Sequence, residues 1–72
     1  QRGTAGIIGR LAQVLDAGLQ EGSLTFSGTP QAVAQSLYEL WLGASLMVKI
    51  IRKRQPFDNA LRTTHHLIRT AA

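Results

Sequence analysis

Residues 36–54 constrain the fold of this 72-residue chain most, because read as a helix they are apolar on two opposite sides. A helix at the edge of a small monomer needs only one buried stripe, with polar residues opposite. With 100° between successive residues, a narrow apolar row and a broad apolar row separate from each other. The narrow row is Leu42, Leu46 and Ile50, and the broad row is Val33, Leu37, Leu40, Trp41, Ala44, Met47, Val48 and Ile51.

A chain of this length is too small to cover both rows by itself. A domain of about 60 residues buries only roughly 60% of the surface that its unfolded form exposes. The chain contains no cysteine, so disulfides cannot compensate for a small core. We therefore expect the rest of the chain to cover one row and a second protein surface, most simply another copy of the chain, to cover the other.

Composition predicts a globular segment with no membrane partner. The hydrophobic fraction of 44% is typical of folded domains. The longest apolar run, residues 40–48, lies between Glu39 and Lys49 and is shorter than the roughly 18 residues of a membrane span. The sequence begins with Gln1 and shows no signal peptide. These features predict a piece of a longer cytoplasmic protein.

Helical periodicity predicts an all-α fold of three helices. We expect them over residues 4–21, from Pro30 to Arg52 or Lys53, and from Pro56 or Phe57 to Thr70, with residues 24–26 as a weak strand candidate. Thr29 before Pro30 is a helix start signal, and Gly22 is a stop. Short connections favour an antiparallel pair of the last two helices. The apolar side of the first helix is Ile7, Leu11, Val14, Leu15, Gly18 and Leu19, and that of the third is Phe57, Ala60, Leu61, Thr64, Leu67, Ile68 and Ala71.

The sequence contains no recognisable catalytic arrangement. Its four carboxylates are scattered, it has no cysteine nucleophile, and it lacks nucleophile-elbow and phosphate-loop spacings. His65 and His66 are adjacent, so on a helix they point about 100° apart and cannot chelate one metal from the same face. We expect no enzyme activity, no cofactor and no metal site, with both histidines exposed or partly packed.

Three residues on one side of the second helix are ligand-binding candidates. Small-molecule sites are mostly apolar, with a few hydroxyl or indole N–H groups. Trp41 and Met47 fit such a lining, although core packing is the simpler interpretation for both. Tyr38 lies with Ser45 on the polar strip between the two rows. The tentative ligand-binding residues are therefore Tyr38, Trp41 and Ser45.

The basic cluster at residues 52–54 leaves two interpretations open. The chain carries a net charge of +4. Cations at a helix C-terminus complement the helix dipole, and this interpretation is the one we favour. Alternatively, the cluster contacts phosphates of a nucleic acid, which predicts binding that weakens steeply with salt.

Residues 36–68 resemble the C-terminal end of transcriptional regulators of the TetR/AcrR family. In that family a similar L-W-x-G-A-x-L-x-x-K stretch precedes a proline and a last amphipathic helix, and the resemblance extends over nearly the whole chain. The matching residues are Leu40, Trp41, Gly43, Ala44, Leu46 and Lys49, followed by Pro56, Leu61, Thr63, Thr64, Leu67 and Ile68.

The resemblance implies that residues 1–72 are the C-terminal fragment of an effector-binding and dimerisation domain. The last two helices would pair with those of a second subunit in a four-helix bundle. The implied protein is a homodimeric repressor that a small molecule releases from operator DNA, and its DNA-binding helix-turn-helix would lie outside this chain. The expected dimer interface comprises Leu42, Gly43, Ala44, Leu46, Ile50, Leu61, Thr64 and Ile68. The alternative is a helical homo-oligomerisation module with neither ligand nor DNA role.

Overall fold

The computed structural model describes residues 2–70 and consists of three helices and one short antiparallel β pair. The helices are α1 (Arg2–Glu21), α2 (Pro30–Ile51) and α3 (Gln55–Leu67). The strands are β1 (Leu24–Thr25) and β2 (Arg69–Thr70). Helix α1 packs on α2, and α3 packs antiparallel on α2. The predicted all-α class is confirmed; β1 lies within the weak strand candidate at residues 24–26, and β2 is an addition.

The start of α2 follows the predicted signal. The Thr29 side chain accepts a hydrogen bond from the Ala32 N–H at 3.1 Å, and Pro30 occupies the first turn. The helix ends at Ile51, slightly earlier than predicted. Arg52 adopts the left-handed conformation, with φ 58° and ψ 43°, and donates its N–H to the Val48 carbonyl at 2.8 Å. This residue caps the helix and turns the chain towards α3.

The end of α1 is a Schellman motif built around Gly22. Gly22 has a φ of 81°, which glycine adopts without steric cost. The Gly22 N–H donates to the Leu19 carbonyl at 3.1 Å, and the Ser23 N–H donates to the Gly18 carbonyl at 2.9 Å. Leu24 then folds back over Gly18. This contact fixes β1 against α1.

The predicted end of α3 at Thr70 is wrong. The helix stops at Leu67, and Ile68 is extended, with φ −127° and ψ 125°. Residues 69 and 70 pair with β1 in the register Leu24↔Thr70 and Thr25↔Arg69. Tertiary pairing therefore overrides the helical periodicity of this segment. Ala71, also assigned to this helix by its spacing, lies outside the described residues.

The main core lies between α1 and α2 and is made of small and medium side chains. The side of α1 that faces α2 centres on Leu15 and includes Ala12, so it overlaps the predicted apolar side at Leu11, Leu15 and Gly18 but is rotated away from the rest of it. Val14, predicted to be on the apolar side, is 65% exposed, and Ile7 is exposed as well. Ala12 allows the two helices to approach closely. The buried core is Ala12, Leu15, Val33, Ala34 and Leu37, with Ile8, Leu11, Leu24, Phe26 and Ile68 packed against it.

The molecule is a flat slab about one helix thick. Its principal extents are 39 × 32 × 14 Å, and its radius of gyration is 13.1 Å, against about 11 Å for a compact domain of this length. Its accessible surface is 5389 Å², whereas a folded monomer of this mass exposes about 4,400 Å². The molecule therefore exposes about 1,000 Å² more surface than a compact monomer of the same mass.

Substituting Gly18 tests the contact that holds β1 on α1. A Cβ at Gly18 would lie 2.7 Å from Leu24 Cγ, so Gly18→Ala should overpack the site and lower stability by about 1 kcal/mol even after the gain in helix propensity. Gly9→Ala in the same helix is the control, because a Cβ there meets nothing within 4 Å. That control should gain up to about 1 kcal/mol. Thermal unfolding by circular dichroism measures both, and equal stabilisation by the two substitutions would contradict the contact.

Candidate functional site

The narrow row of α2 is exposed along its whole length. Leu42 is 52% exposed, Leu46 56% and Ile50 68%. Met47 and Ile51, which periodicity assigns to the broad row, are exposed as well and extend this apolar surface. The neighbours of α2 both approach from the other side, where Val33, Leu37 and Ala44 are buried. Chemically, the narrow row is suited to contact with another apolar protein surface.

Gly43 lies beside the narrow row and borders a groove between α2 and α3. The groove has a volume of about 380 Å³ and is lined by Glu39, Leu40, Gly43, Ala44, Met47, Gln55, Pro56, Asn59 and Ala60. A Cβ added at Gly43 would meet no atom within 4 Å. The glycine is therefore not required for packing within the chain, and the backbone of α2 is accessible at this point.

Three of the eight residues predicted for the dimer interface contact their own chain. Ala44 is buried beneath α3, near Ala60. Thr64 hydrogen-bonds to Trp41, and Ile68 packs against the core between α1 and α2. Of the eight, the large apolar side chains that remain exposed are Leu42, Leu46, Ile50 and Leu61, the last at 49%.

Leu61 lies on a different side of the helix pair from the narrow row. It follows Phe57 by four residues and precedes Thr64 by three, so all three share one face of α3. Phe57 and Thr64 both contact Trp41. Gly43 and Met47, in contrast, line the groove at the opposite edge of α3, with Gln55 and Asn59. The eight predicted residues therefore do not form one continuous patch, because periodicity within each helix does not fix how two helices are rotated against each other.

Trp41 is the centre of the contact between α2 and α3. Its Nε1–H donates to Thr64 Oγ1 at 2.9 Å, and the Thr64 hydroxyl donates to the Ala60 carbonyl at 2.8 Å. The Trp41 ring stacks on Phe57, with centroids 6.0 Å apart and planes at 28°. Aromatic pairs of this kind contribute about 0.5–1.5 kcal/mol beyond area burial. Trp41 is thus primarily a packing residue, although it remains half-buried.

The other two ligand-binding candidates share the Trp41 side of α2, and their polar groups are also engaged. The Ser45 hydroxyl donates to the Trp41 carbonyl at 2.9 Å. The Tyr38 hydroxyl lies 3.5 Å from Thr4 Oγ1 on α1. The three residues therefore follow one side of α2 from α1 towards α3. A ligand on this side would have to compete with these intramolecular hydrogen bonds.

The remaining polar candidates are exposed. His65 and His66 lie in the last turn of α3, and His66 Nδ1 donates to the Arg62 carbonyl at 2.8 Å. Across residues 2–70, no group of three or more metal-ligating side chains comes together. Arg52, Lys53 and Arg54 are exposed in the connection between α2 and α3. Within the same residues, no helix is long and apolar enough to cross a membrane.

By its fold and its exposed narrow row, the chain is a helical segment with a free apolar surface. Comparison of its sequence with known proteins relates it to transcriptional repressors. No protein-family model matches the chain. It is 45% identical over 71 residues to the HTH-type transcriptional repressor NemR of Escherichia coli K12, and equally so to NemR of Escherichia coli O6:H1. These alignments cover 99% of this chain and 36% of each repressor. The chain thus spans little more than a third of the relatives it matches.

The structural comparison agrees with the sequence comparison. The crystal structure of the reduced form of Escherichia coli NemR superposes with a TM-score of 0.94 and 48% sequence identity. The superposition covers 99% of this chain and 38% of that one. The chain is therefore homologous to one part of a protein described as a transcriptional repressor.

The hydrogen bond from Trp41 can be tested with a matched pair of variants. Thr64→Val removes the acceptor of the Trp41 Nε1–H and should lower stability by about 1 kcal/mol, because the indole N–H is left partly buried without a partner. Thr64→Ser keeps a hydroxyl and should retain the bond. Thermal unfolding and the emission maximum of Trp41 report the two effects. Equal stability and equal emission in the two variants would show that the bond contributes nothing.

Proposed function

We propose that this chain is the C-terminal part of the effector-binding and dimerisation domain of a TetR/AcrR-type transcriptional repressor. The similarity to NemR supports the regulatory role, because NemR is described as an HTH-type transcriptional repressor. The sequence pattern from Leu40 to Lys49 and the following proline support the family. In this proposal the protein is cytoplasmic, requires no cofactor and catalyses no reaction.

The proposed role of α2 and α3 is to join two subunits in a four-helix bundle. The observation that carries this proposal is the exposed narrow row on a slab with no second layer. A standard protein interface buries about 800 Å² per partner, and the excess surface of about 1,000 Å² is of that size. A second copy packed on α2 would cover the narrow row.

Gly43 has a specific part in the proposed interface. Glycine in the interior of a helix lowers its stability by about 1 kcal/mol relative to alanine. The packing of the chain itself gives no reason for glycine at position 43. Close approach of a helix from the second copy is such a reason. Gly43 therefore belongs to the proposed interface with Leu42, Leu46 and Ile50, whereas Ala44, Thr64 and Ile68 act through the packing of their own chain.

In the whole protein, the dimer would hold two DNA-reading heads at a fixed separation. Two-fold symmetric regulators bind half-sites about one helical turn apart. An effector can release the operator only if it binds the two arrangements of the heads with different affinity. The DNA-binding part lies outside this chain, so operator DNA would be a partner of the whole protein only.

The effector is proposed to bind on the Trp41 side of α2, near Tyr38 and Ser45. Tyr38 and Ser45 lie on the strip between the two rows and neighbour Leu42 on the helix surface, so a ligand there would lie beside the proposed interface and not on the narrow row itself. The lining combines aromatic rings with hydroxyl groups, which suits a small, mainly apolar molecule that carries a hydrogen-bonding group. The alternative, an oligomerisation module without a ligand, keeps the narrow row but predicts no binding on the Trp41 side.

A charged substitution tests the dimer interface. Leu46→Glu places a carboxylate in the middle of the narrow row and should convert the dimer into monomers, because burying an unpaired charge is strongly unfavourable. Gln13→Glu, on an exposed part of α1, introduces the same charge and should leave the dimer intact. Sedimentation velocity measures both. A Leu46→Glu protein that sediments as the native dimer would remove this residue from the interface.

Leu61→Glu extends this test to the other side of the helix pair. If the interface lies on the narrow row, this variant should remain dimeric. If it dissociates while Leu46→Glu does not, the bundle forms through the Trp41 side and the proposed arrangement is wrong.

Tryptophan fluorescence tests the effector site. Titration of the intact protein with a panel of small amphipathic compounds should quench Trp41 emission for a binder, because a ligand on this side contacts the indole ring. Trp41→Phe identifies the part of the signal that comes from this residue. Compounds that bind without changing the Trp41 signal would place the effector site elsewhere.

A further inference from the structure

Residues 68–70 are extended although their sequence does not require it. Residues 68–72 contain neither glycine nor proline, so no helix stop signal follows α3. The β-branched Ile68 and Thr70 favour strands, whereas Arg69 favours helices. Local propensity is therefore divided between the two conformations.

The extended conformation depends on contacts with the rest of the chain. Residues 69 and 70 pair with Thr25 and Leu24, and Leu24 in turn sits on Gly18 of α1. The Ile68 side chain packs against the core between α1 and α2. The conformation of this segment is thus determined by β1 and α1.

A helical alternative would lose the pairing with β1 and the contact of Ile68 with the core, and would gain backbone hydrogen bonds within α3. If α3 continued, the N–H groups of Arg69 and Thr70 would donate to the carbonyls of His65 and His66, and the pairing with β1 would be broken. Exchange of one set of backbone hydrogen bonds for another changes stability little. Ile68 would lie one turn after Thr64, on the face of α3 that carries Leu61 and the contacts to Trp41.

We propose that residues 68–70 are a two-state latch, either a strand paired with β1 or an additional turn of α3. In the paired state, β1 and β2 connect the end of α1 directly to the end of α3, in addition to the contacts that each helix makes with α2. In the helical state the pairing of β1 with β2 is broken, and the segment between α1 and α2 is no longer held to the end of α3. Both states are open to the same sequence because local propensity is divided between them and the pairing with β1 selects the strand.

Opposite substitutions at the exposed Thr70 test the latch. Thr70→Ala favours the helix and Thr70→Val favours the strand, and neither disturbs the core. In the intact protein, ¹³Cα chemical shifts of residues 68–70 report the helical population. We expect the ratio of helical to extended population to be roughly threefold to fivefold higher in the alanine variant than in the valine variant.

A reversible crosslink provides the control. Thr25 and Arg69 are directly opposite in the pair, and such residues have Cα atoms about 4.5–5.5 Å apart, within disulfide range. With Thr25→Cys and Arg69→Cys oxidised, the substitutions at Thr70 should no longer change the shifts, and reduction should restore the difference.

Three results would overturn the latch. Identical extended shifts in both Thr70 variants would mean that the helical state is not accessible. Random-coil shifts in the alanine variant would mean that the segment unfolds instead of joining α3. A difference that persists in the oxidised crosslinked protein would show that the pairing with β1 does not control the conformation.

Discussion

Three helices in a single layer bury only small and medium side chains between them, and this constraint governs the part of the chain that the structure describes. A helix with its side chains is about 10–12 Å in diameter, and the thinnest dimension of the molecule is 14 Å. Helix α2 has α1 and α3 as neighbours, and both lie on the side of the broad row. The narrow row consequently remains in solvent. Full burial of each of its leucine and isoleucine side chains would stabilise the structure by about 1.5–3 kcal/mol, which only an additional surface can provide.

The elements of the fold could be predicted where local chemistry determines them. Thr29 and Pro30 specify the start of α2, and Gly22 specifies the end of α1, because each acts through its own backbone geometry. The two rows of α2 were predictable for the same reason, since they depend on one helix alone. The end of α3 was not predictable, because the extended conformation of Ile68 depends on β1, which is more than 40 residues away in the sequence.

The candidate surfaces were predictable only in part. Periodicity identifies Leu46 and Leu61 as apolar positions, but it does not show that they lie on different sides of the helix pair. That result depends on the rotation of α3 about its axis, which the contacts of Trp41 with Phe57 and Thr64 reveal. The same limit applies to Val14, whose exposure follows from the packing of Ala12 and Leu15 against α2. Met47 could have been recognised as a neighbour of the narrow row, since it precedes Ile50 by three residues.

The separation of the two sides of α2 has a consequence for regulation. If an effector binds near Trp41 and a second subunit binds at the narrow row, any coupling between them has to pass through α2 or through the ends of α1 and α3. Coupling free energies between sites are typically 1–3 kcal/mol. One hydrogen bond such as that from Trp41 to Thr64 contributes about 1 kcal/mol. A change in a few contacts around Trp41 is therefore large enough to supply a coupling free energy of this size. Helix α2, which spans roughly 33 Å, carries both surfaces on one continuous hydrogen-bonded backbone. A small rotation of this helix would therefore move Trp41 and Leu46 together, and would change the ligand side and the subunit side in the same step.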